Sequence, residues 1–204
     1  MRISCNQWWA TPVWEVETGY PQAFNQRLLQ EIDSYLQGNT AARSDTNIWQ
    51  AKTPNIAELR DCILRLVRQE TYDYVAPNYS SGEFDYYHTR GWINRHEIGQ
   101  DLPLHSHGGA KISATYYIST PDGCGDLLLI DPRGAVDWDN GNDGANGTKF
   151  KRVRPAAGKL VFFPSYVLHT VERNRSSYPR ISVTTDIATL NKSSIRFFAE
   201  SLGS

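Results

Sequence analysis

The sequence has no long hydrophobic run and no excess of charge of either sign. None of its 204 residues belongs to an apolar stretch approaching the roughly 18 residues of a membrane-spanning helix, so we expect no membrane partner. Lysine and arginine number 21 against 22 aspartates and glutamates, a net charge of −1. That balance provides no general electrostatic attraction to nucleic acid, and we expect no nucleic-acid partner.

Cysteine is scarce as well. The three cysteines, at positions 5, 62 and 124, include no Cys-x-x-Cys pair, which excludes a disulfide framework and a cysteine-based zinc site. The first nine residues contain no continuous apolar segment of the kind a secretory signal uses. The sequence therefore predicts a cytoplasmic location. The tryptophans at positions 8 and 9 are compatible with a homodimer.

Apolar residues make up 40% and aromatic residues 12% of the chain, which is enough for one sizeable core and predicts a single domain over residues 1–204. The N-terminal part, about residues 20–80, carries helical patterns. Apolar residues recur at helical spacing before Gly38, and a second such pattern follows Thr53-Pro54, an N-cap and a proline at the first helical position. Both segments are interpreted as helices that pack against a core.

From about residue 82 to 188 the pattern is that of strands. Short apolar or alternating segments are separated by Gly, Pro, Asn and Asp, as in residues 84–96, 111–118, 127–130, 159–163, 167–171 and 180–185. The sequence therefore predicts a mainly β (α+β) fold, a sandwich or barrel with N-terminal helices. The long irregular segment 132–148 is predicted to be a loop that closes over a site. Its Asp137-x-Asp139 lacks the spacing and final Glu of a calcium-binding loop.

Three of the five histidines have a spacing that suits metal binding. His105 and His107 are two residues apart in an extended segment, so their side chains are expected on one face. His169 follows a distant apolar strand, and a third ligand from another strand would complete one face of an open metal site. Eleven residues later, Arg180 and Ser182 share a face and offer a guanidinium fork and a hydroxyl to a carboxylate. Tyr116 and Tyr117, which come about ten residues after the His105-Ser-His107 motif, can add a phenol to the same anion.

The order of these motifs resembles that of the Fe(II)/2-oxoglutarate-dependent oxygenases over residues 84–187. The chain has His105-Ser-His107, the Tyr116-Tyr117 strand, Pro155-Ala-Ala-Gly-Lys-Leu-Val-Phe-Phe163, His169 and then Arg180. It is most similar to a small group of 2-oxoglutarate/Fe(II) oxygenases that also has an early Thr-Pro-Val-Trp, here residues 11–14, and a Trp-x-Asn strand, here residues 92–94.

The resemblance implies a jelly-roll, cupin-like core, the double-stranded β-helix, and the cofactors Fe(II), 2-oxoglutarate and O2. His105 and His169 match the histidine ligands. Arg180 matches the residue that pairs with the distal carboxylate of 2-oxoglutarate, with Ser182 and Tyr117 assisting. The pocket lining is expected to include Trp92, Asn94 and Tyr116. The implied reaction is oxidation, most often hydroxylation, of a C–H bond in a small metabolite or amino-acid-like substrate, with 2-oxoglutarate converted to succinate and CO2.

One position departs from the family pattern, because His107 stands where the family's metal-binding triad has a carboxylate. His107 is kept as the third ligand, which leaves the identity of the metal open because imidazole suits several metals. In another register, His107-Gly108-Gly109 resembles the His-x-Gly of 2-oxoglutarate halogenases. Two further alternatives are a cupin-like three-histidine metalloprotein that uses no 2-oxoglutarate, and a non-catalytic ligand-binding β-barrel. His96 shares strand parity with Trp92 and Asn94, which leaves a place in the pocket open as an alternative. His88 and His96 are both interpreted as structural or surface histidines.

Overall fold

The computed structural model describes residues 11–38, 46–75, 77, 83–133 and 150–192. Within these ranges the chain forms two α-helices, one 3₁₀ turn at Ile48–Gln50 and nine strands. The helices are α1 (Gln22–Gln37) and α2 (Pro54–Val75). The strands are β1 (Trp14–Glu17), β2 (Phe84–His96), β3 (Leu102–His105), β4 (Ile112–Ser119), β5 (Leu127–Ile130), β6 (Phe150–Val153), β7 (Lys159–Pro164), β8 (His169–Val171) and β9 (Arg180–Asn191).

The strands form two antiparallel sheets. The major sheet has the order β1-β7-β4-β9-β2, and the minor sheet has the order β3-β8-β5-β6. Strands that are neighbours in a sheet are mostly distant in sequence, as with β2 and β9, so the chain crosses repeatedly between the sheets. Two antiparallel sheets with the helices on one outer side confirm the predicted mainly β class with N-terminal packing helices.

The major sheet is covered on both faces, and alternate residues of one strand serve the two sides. One face packs against α1 and α2, with a shared core that includes Leu28, Ile32, Ile63, Tyr116 and Val183. The opposite face packs against the minor sheet through a smaller cluster of buried residues, which includes Tyr117, Leu127, Leu129, Val161, Phe163 and Val171. Burial on both faces explains why the residues of β7 after Lys159 form a continuous apolar run instead of an alternating one.

The strand boundaries differ from the sequence prediction where apolar content is low or a turn intervenes. Strands β1 and β3 were not predicted, because each has four residues and gains its hydrogen bonds from a distant partner, β7 and β8 respectively. Strand β8 begins at His169 instead of residue 167, because Ser165–Leu168 forms the turn from the major to the minor sheet. Of the segment 132–148 only Pro132 and Arg133 are described. The predicted lid and the first ten residues therefore lie outside the described residues.

Neither described helix combines the length and the low charge that crossing a membrane would require.

Candidate active site

A small cavity of about 80 Å³ lies between the two sheets. The major sheet contributes three strands to its wall, and the register explains which residues face it. Across β4, β9 and β2, Tyr117 is opposite Ser182, which is opposite Asn94. The next row consists of Thr115, Thr184 and Trp92, and at the other end Arg180 is opposite His96. The minor sheet closes the cavity with Leu102, His105, Leu127, His169 and Val171.

Three imidazoles meet at one end of this cavity. One ring nitrogen from each of His105, His107 and His169 lies within 4.8 Å of the others. His105 and His169 are directly paired across β3 and β8, and their ring centroids are 4.2 Å apart. The His107 ring lies 5.2 Å from His105 and 5.1 Å from His169. The three predicted ligand residues are therefore brought together, although His107 lies in the loop after β3 and not in the strand.

Each of the three imidazoles has a hydrogen-bond partner for Nδ1. His105 Nδ1 is 2.7 Å from the Pro103 carbonyl and His169 Nδ1 is 2.9 Å from the Val167 carbonyl. His107 Nδ1 is 2.5 Å from Asp186 Oδ1. A carbonyl or carboxylate accepts a hydrogen bond, so each Nδ1 carries the proton and donates it. This tautomer leaves the Nε2 lone pair of each ring available to a metal, the arrangement usual for histidine ligands.

Electrostatics keep His169 neutral. Burial lowers the pKa of His169 to about 4; the hydrogen bond to the Val167 carbonyl opposes this shift, and the neighbouring imidazoles add to it. At neutral pH His169 therefore retains a lone pair for a Lewis acid, because a protonated imidazole has none to offer.

The other end of the cavity has a buried guanidinium. Arg180 is 2% exposed, and its charge is not paired with any carboxylate of the described residues. Its Cζ lies 5.1 Å from the Tyr117 ring centroid. Arg180 Nε and the Tyr117 hydroxyl are both buried without a hydrogen-bond partner in the described structure. Buried charges and polar atoms are normally paired, so this end of the cavity suits an anionic ligand.

His96 belongs to the same end of the cavity, which is the alternative left open for it and not the preferred structural or surface position. It is buried, and its Nδ1 accepts a hydrogen bond of 3.3 Å from Arg180 Nη1. Burial, together with the adjacent positive charge of Arg180, lowers the pKa of His96 to about 4. The available signal was strand parity, because His96 is an even number of residues from Trp92 and Asn94 and shares their face.

Other predicted residues fall into two groups. Trp92 and Asn94 line the cavity, and the Trp92 ring lies 5.6 Å from that of His107. The prediction for Tyr116 is corrected. It faces the helices, where its hydroxyl donates a 2.6 Å hydrogen bond to Asn25 Oδ1, because neighbouring residues of a strand point to opposite faces.

His88 has the structural role expected for it. Its ring bonds to the Thr185 hydroxyl and to the Arg60 carbonyl, at 2.9 Å each, on the side of the major sheet that faces the helices.

Comparison with known proteins agrees with this geometry. Residues 90–186, which contain all three clustered histidines and Arg180, match the family model described as "Putative 2OG-Fe(II) oxygenase". No curated protein sequence is significantly similar to the chain.

Solved structures share the fold. The α-ketoglutarate-dependent carbocyclase SnoK from nogalamycin biosynthesis is 12% identical, with a TM-score of 0.64 over 87% of this chain and 79% of its own. HygX from Streptomyces hygroscopicus, solved with nickel and 2-oxoglutarate, is 13% identical, with a TM-score of 0.59 over 87% and 83%. The chain spans 58% of a 2OG-Fe(II) oxygenase family oxidoreductase from Burkholderia pseudomallei, at 17% identity over 66% of this chain and a TM-score of 0.44.

These neighbours confirm the predicted double-stranded β-helix fold. The family match covers the strands that hold the clustered histidines and Arg180. Over residues 90–186 the chain therefore matches the 2OG-Fe(II) oxygenase family, and the solved neighbours share its fold.

Proposed function

We propose that this protein is a non-haem Fe(II)- and 2-oxoglutarate-dependent dioxygenase that oxidises a C–H bond of a small metabolite or amino-acid-like substrate, with hydroxylation as the outcome. His105, His107 and His169 hold the metal. Arg180, Ser182 and Tyr117 bind the distal carboxylate of 2-oxoglutarate. A cytoplasmic location and a homodimer stay predictions from the sequence.

The observation that carries the proposal is the pairing of two incomplete sites in one cavity. One end has three imidazoles with Nε2 available, and the other has Arg180 Nε and the Tyr117 hydroxyl without partners. A ligand that chelates a metal at one end and carries a carboxylate at the other would satisfy both. 2-Oxoglutarate has that form, with a keto acid at one end and a carboxylate at the other.

The residues present fit these groups. Three imidazoles suit Fe(II) and other first-row divalent metals, and a guanidinium with a hydroxyl suits a carboxylate. When bound, Fe(II) and 2-oxoglutarate would supply the oxidising chemistry through oxidative decarboxylation with O2. Arg180, Ser182 and Tyr117 would then orient the cosubstrate. The apolar wall of Leu102, Leu127 and Val171 would exclude water from it.

The geometry favours the oxygenase over the halogenase register. That register removes one protein ligand to leave space for a halide beside the metal, with His107 as the first ligand. In the structure His105 lies in the cluster with His107 and His169. A third histidine is therefore close enough to serve as a protein ligand, which supports the oxygenase register. Trp92 and Asn94 also line the cavity. Their apolar and hydrogen-bonding groups suit a small-molecule substrate that has parts of both kinds.

Anaerobic titration with Fe(II), with and without 2-oxoglutarate, tests the proposal. We expect one Fe(II) per chain and, with 2-oxoglutarate, the weak visible charge-transfer band of a chelated keto acid. Fe(II) binding without any response to 2-oxoglutarate would instead identify a cupin-like metalloprotein. Absence of stoichiometric metal binding would leave a non-catalytic β-barrel.

Replacement of Arg180 by Lys tests the carboxylate end by itself. The ammonium keeps the charge but loses the fork, so we expect 2-oxoglutarate affinity to fall about tenfold or more while Fe(II) affinity is unchanged. Arg175→Lys is the matched control, since Arg175 lies in a separate surface cleft with Asp122 and Cys124. Equal affinity of Arg180→Lys and wild type for 2-oxoglutarate would remove Arg180 from the site.

A further inference from the structure

We infer that Asp186 is a positioning residue of the metal site and that it orients His107. The family's metal-binding triad has a carboxylate where this chain has His107, and Asp186 supplies the negative charge that is missing at that position. The inference rests on the proposed function, because it assigns a role relative to the proposed metal. No motif identified in the sequence includes this residue.

Asp186 continues the cavity-facing row of β9. Arg180, Ser182 and Thr184 line the cavity, and Asp186 is the next residue of the same parity. In the register it is opposite Ser113 of β4 and Arg90 of β2. One strand thus extends from the guanidinium end of the cavity to the imidazole end.

The strand next to Asp186 is irregular at this point. The pairing of β2 with β9 shifts between His88 and Arg90, so that Thr89 is an extra residue in β2. The Thr89 hydroxyl donates a 3.2 Å hydrogen bond to the Asp186 carbonyl. Bulges of this kind locally re-aim side chains, and they recur beside active sites. The bulge therefore lies directly beside Asp186 and adds a hydrogen bond to its main chain.

Hydrogen bonds hold the Asp186 carboxylate against His107. Its Oδ1 accepts from His107 Nδ1 at 2.5 Å and from the Ser113 hydroxyl at 2.9 Å. Ser113 in turn is 2.9 Å from the Ser165 hydroxyl. The main chains of His107 and Ser165 are also hydrogen-bonded, because the His107 amide donates to the Ser165 carbonyl at 3.0 Å. The imidazole of a loop residue is thereby held from both its backbone and its ring.

This geometry has two consequences for a metal at Nε2. The hydrogen bond selects the Nδ1–H tautomer and fixes the ring plane, and an anionic acceptor makes the imidazole a stronger donor to the metal. Three neutral imidazoles leave a divalent ion with its full charge, whereas the usual triad carboxylate would reduce it by one. Asp186 supplies that charge from behind His107, on the side of the ring away from a metal at Nε2. His105 and His169 bond instead to neutral carbonyls, so His107 is the ligand through which charge is delivered.

Two substitutions separate the charge of Asp186 from its hydrogen bond. Asp186→Ala removes both, and we expect Fe(II) affinity in anaerobic calorimetry to fall about 10- to 100-fold, as for loss of other such partners of histidine ligands. Asp186→Asn keeps an acceptor for His107 without the charge, so its affinity should lie between those of wild type and Asp186→Ala. The ligand-field bands of the Co(II)-loaded protein should shift in both variants.

Asp85→Asn is the matched control. Asp85 lies on the adjacent strand, is half exposed and pairs with Lys192. Its replacement should leave Fe(II) affinity and the Co(II) spectrum unchanged. The melting temperature of each metal-free variant reports any structural effect separately.

The outcomes are distinct. Fe(II) affinity within twofold of wild type in Asp186→Ala overturns the inference. If Asp186→Ala does not fold, Asp186→Asn decides the role of the charge by the same twofold criterion. A wild-type chain that binds no Fe(II) overturns both this inference and the proposed function. A wild-type chain that binds Fe(II) but gives no charge-transfer band with 2-oxoglutarate overturns the proposed function alone.

Discussion

The two faces of the major sheet differ in what they require of the same strands. On β9, the side chains of Ile181, Val183 and Ile187 pack on the helical side. Arg180 and Ser182, which have the opposite parity, face the cavity. Strand β4 repeats the division, because the side chain of Tyr116 is satisfied by Asn25 and that of Tyr117 has no described hydrogen-bond partner. The tyrosine hydroxyl on the helical face is thus paired within the protein, whereas the one on the cavity face is unpaired among the described residues.

This difference indicates where stability and function reside. Polar atoms left unpaired in a buried cavity cost free energy, and the chain keeps them because the apolar helical face stabilises the same strands. Substitutions on the helical face should therefore change the free energy of unfolding, and those on the cavity face should change ligand affinity. Of the three predictions that follow, ordered from the largest expected effect to the smallest, the first and the last test this division, and the second measures the cost of burying His96 beside Arg180.

The largest effect is expected on the helical face. Leu160 of β7 is fully buried in the cluster shared with α1 and α2. Leu160→Ala should lower the free energy of unfolding by about 2 to 5 kcal/mol through lost burial and a residual cavity, measured by urea denaturation. Fe(II) affinity of the folded fraction should stay within twofold of wild type. Leu190→Ala, at a position 43% exposed, is the control and should cost less than about 0.5 kcal/mol. A large loss of metal affinity in Leu160→Ala would contradict the division.

A smaller effect is expected from the titration of His96. Its pKa in the folded protein is about 4, below the ordinary 6.5, so the unfolded chain binds the proton more tightly. Stability from this residue is therefore present above pH 6.5 and is lost as the pH falls toward 4. Between pH 7 and 4.5 the loss amounts to about 2 kcal/mol.

The variant His96→Gln isolates that contribution, because glutamine keeps an acceptor for Arg180 and does not titrate. The difference in unfolding free energy between wild type and variant should change by about 2 kcal/mol over this pH interval, in favour of the variant at low pH. Parallel pH profiles of the two proteins would show that His96 is not held neutral.

The smallest effect is expected from the adjacent tyrosines. Tyr116→Phe leaves the Asn25 amide oxygen without its buried partner and should cost about 1 kcal/mol of stability, with no change in 2-oxoglutarate affinity. Tyr117→Phe removes a buried hydroxyl that has no described partner, so the melting temperature should be unchanged or slightly raised. The same variant should bind 2-oxoglutarate more weakly, as measured by titration of the Fe(II)-loaded protein. Identical behaviour of the two variants would show that the faces are not distinct.

Periodicity along the chain made several features predictable. Two helices and most strands follow from apolar spacing, and the shared face of Arg180 and Ser182 follows from strand alternation. His105, His107 and His169 were found because their spacing and order resemble a family pattern. Tyr116 was misplaced because the order of motifs does not distinguish neighbouring residues of one strand, although alternation allows only one of the two tyrosines to face the cavity.

Asp186 was not found and His96 was not assigned to the site, for a different reason. Asp186 lies just past the predicted end of its strand, and its partner His107 is 79 residues away. His96 has the parity of cavity-lining residues, but its hydrogen bond to Arg180 crosses 84 residues of chain. A local pattern contains no information about such partners, because the register of two distant strands brings them together.

The sequence by itself determined the mainly β class, the supporting helices and the residue types of the site, because hydrophobic alternation and side-chain chemistry are properties of short segments. Only the tertiary structure decided which imidazole nitrogens are available, which tyrosine meets the cavity and which carboxylate stands behind His107. These depend on strand register, where a shift of one residue moves every side chain to the other face.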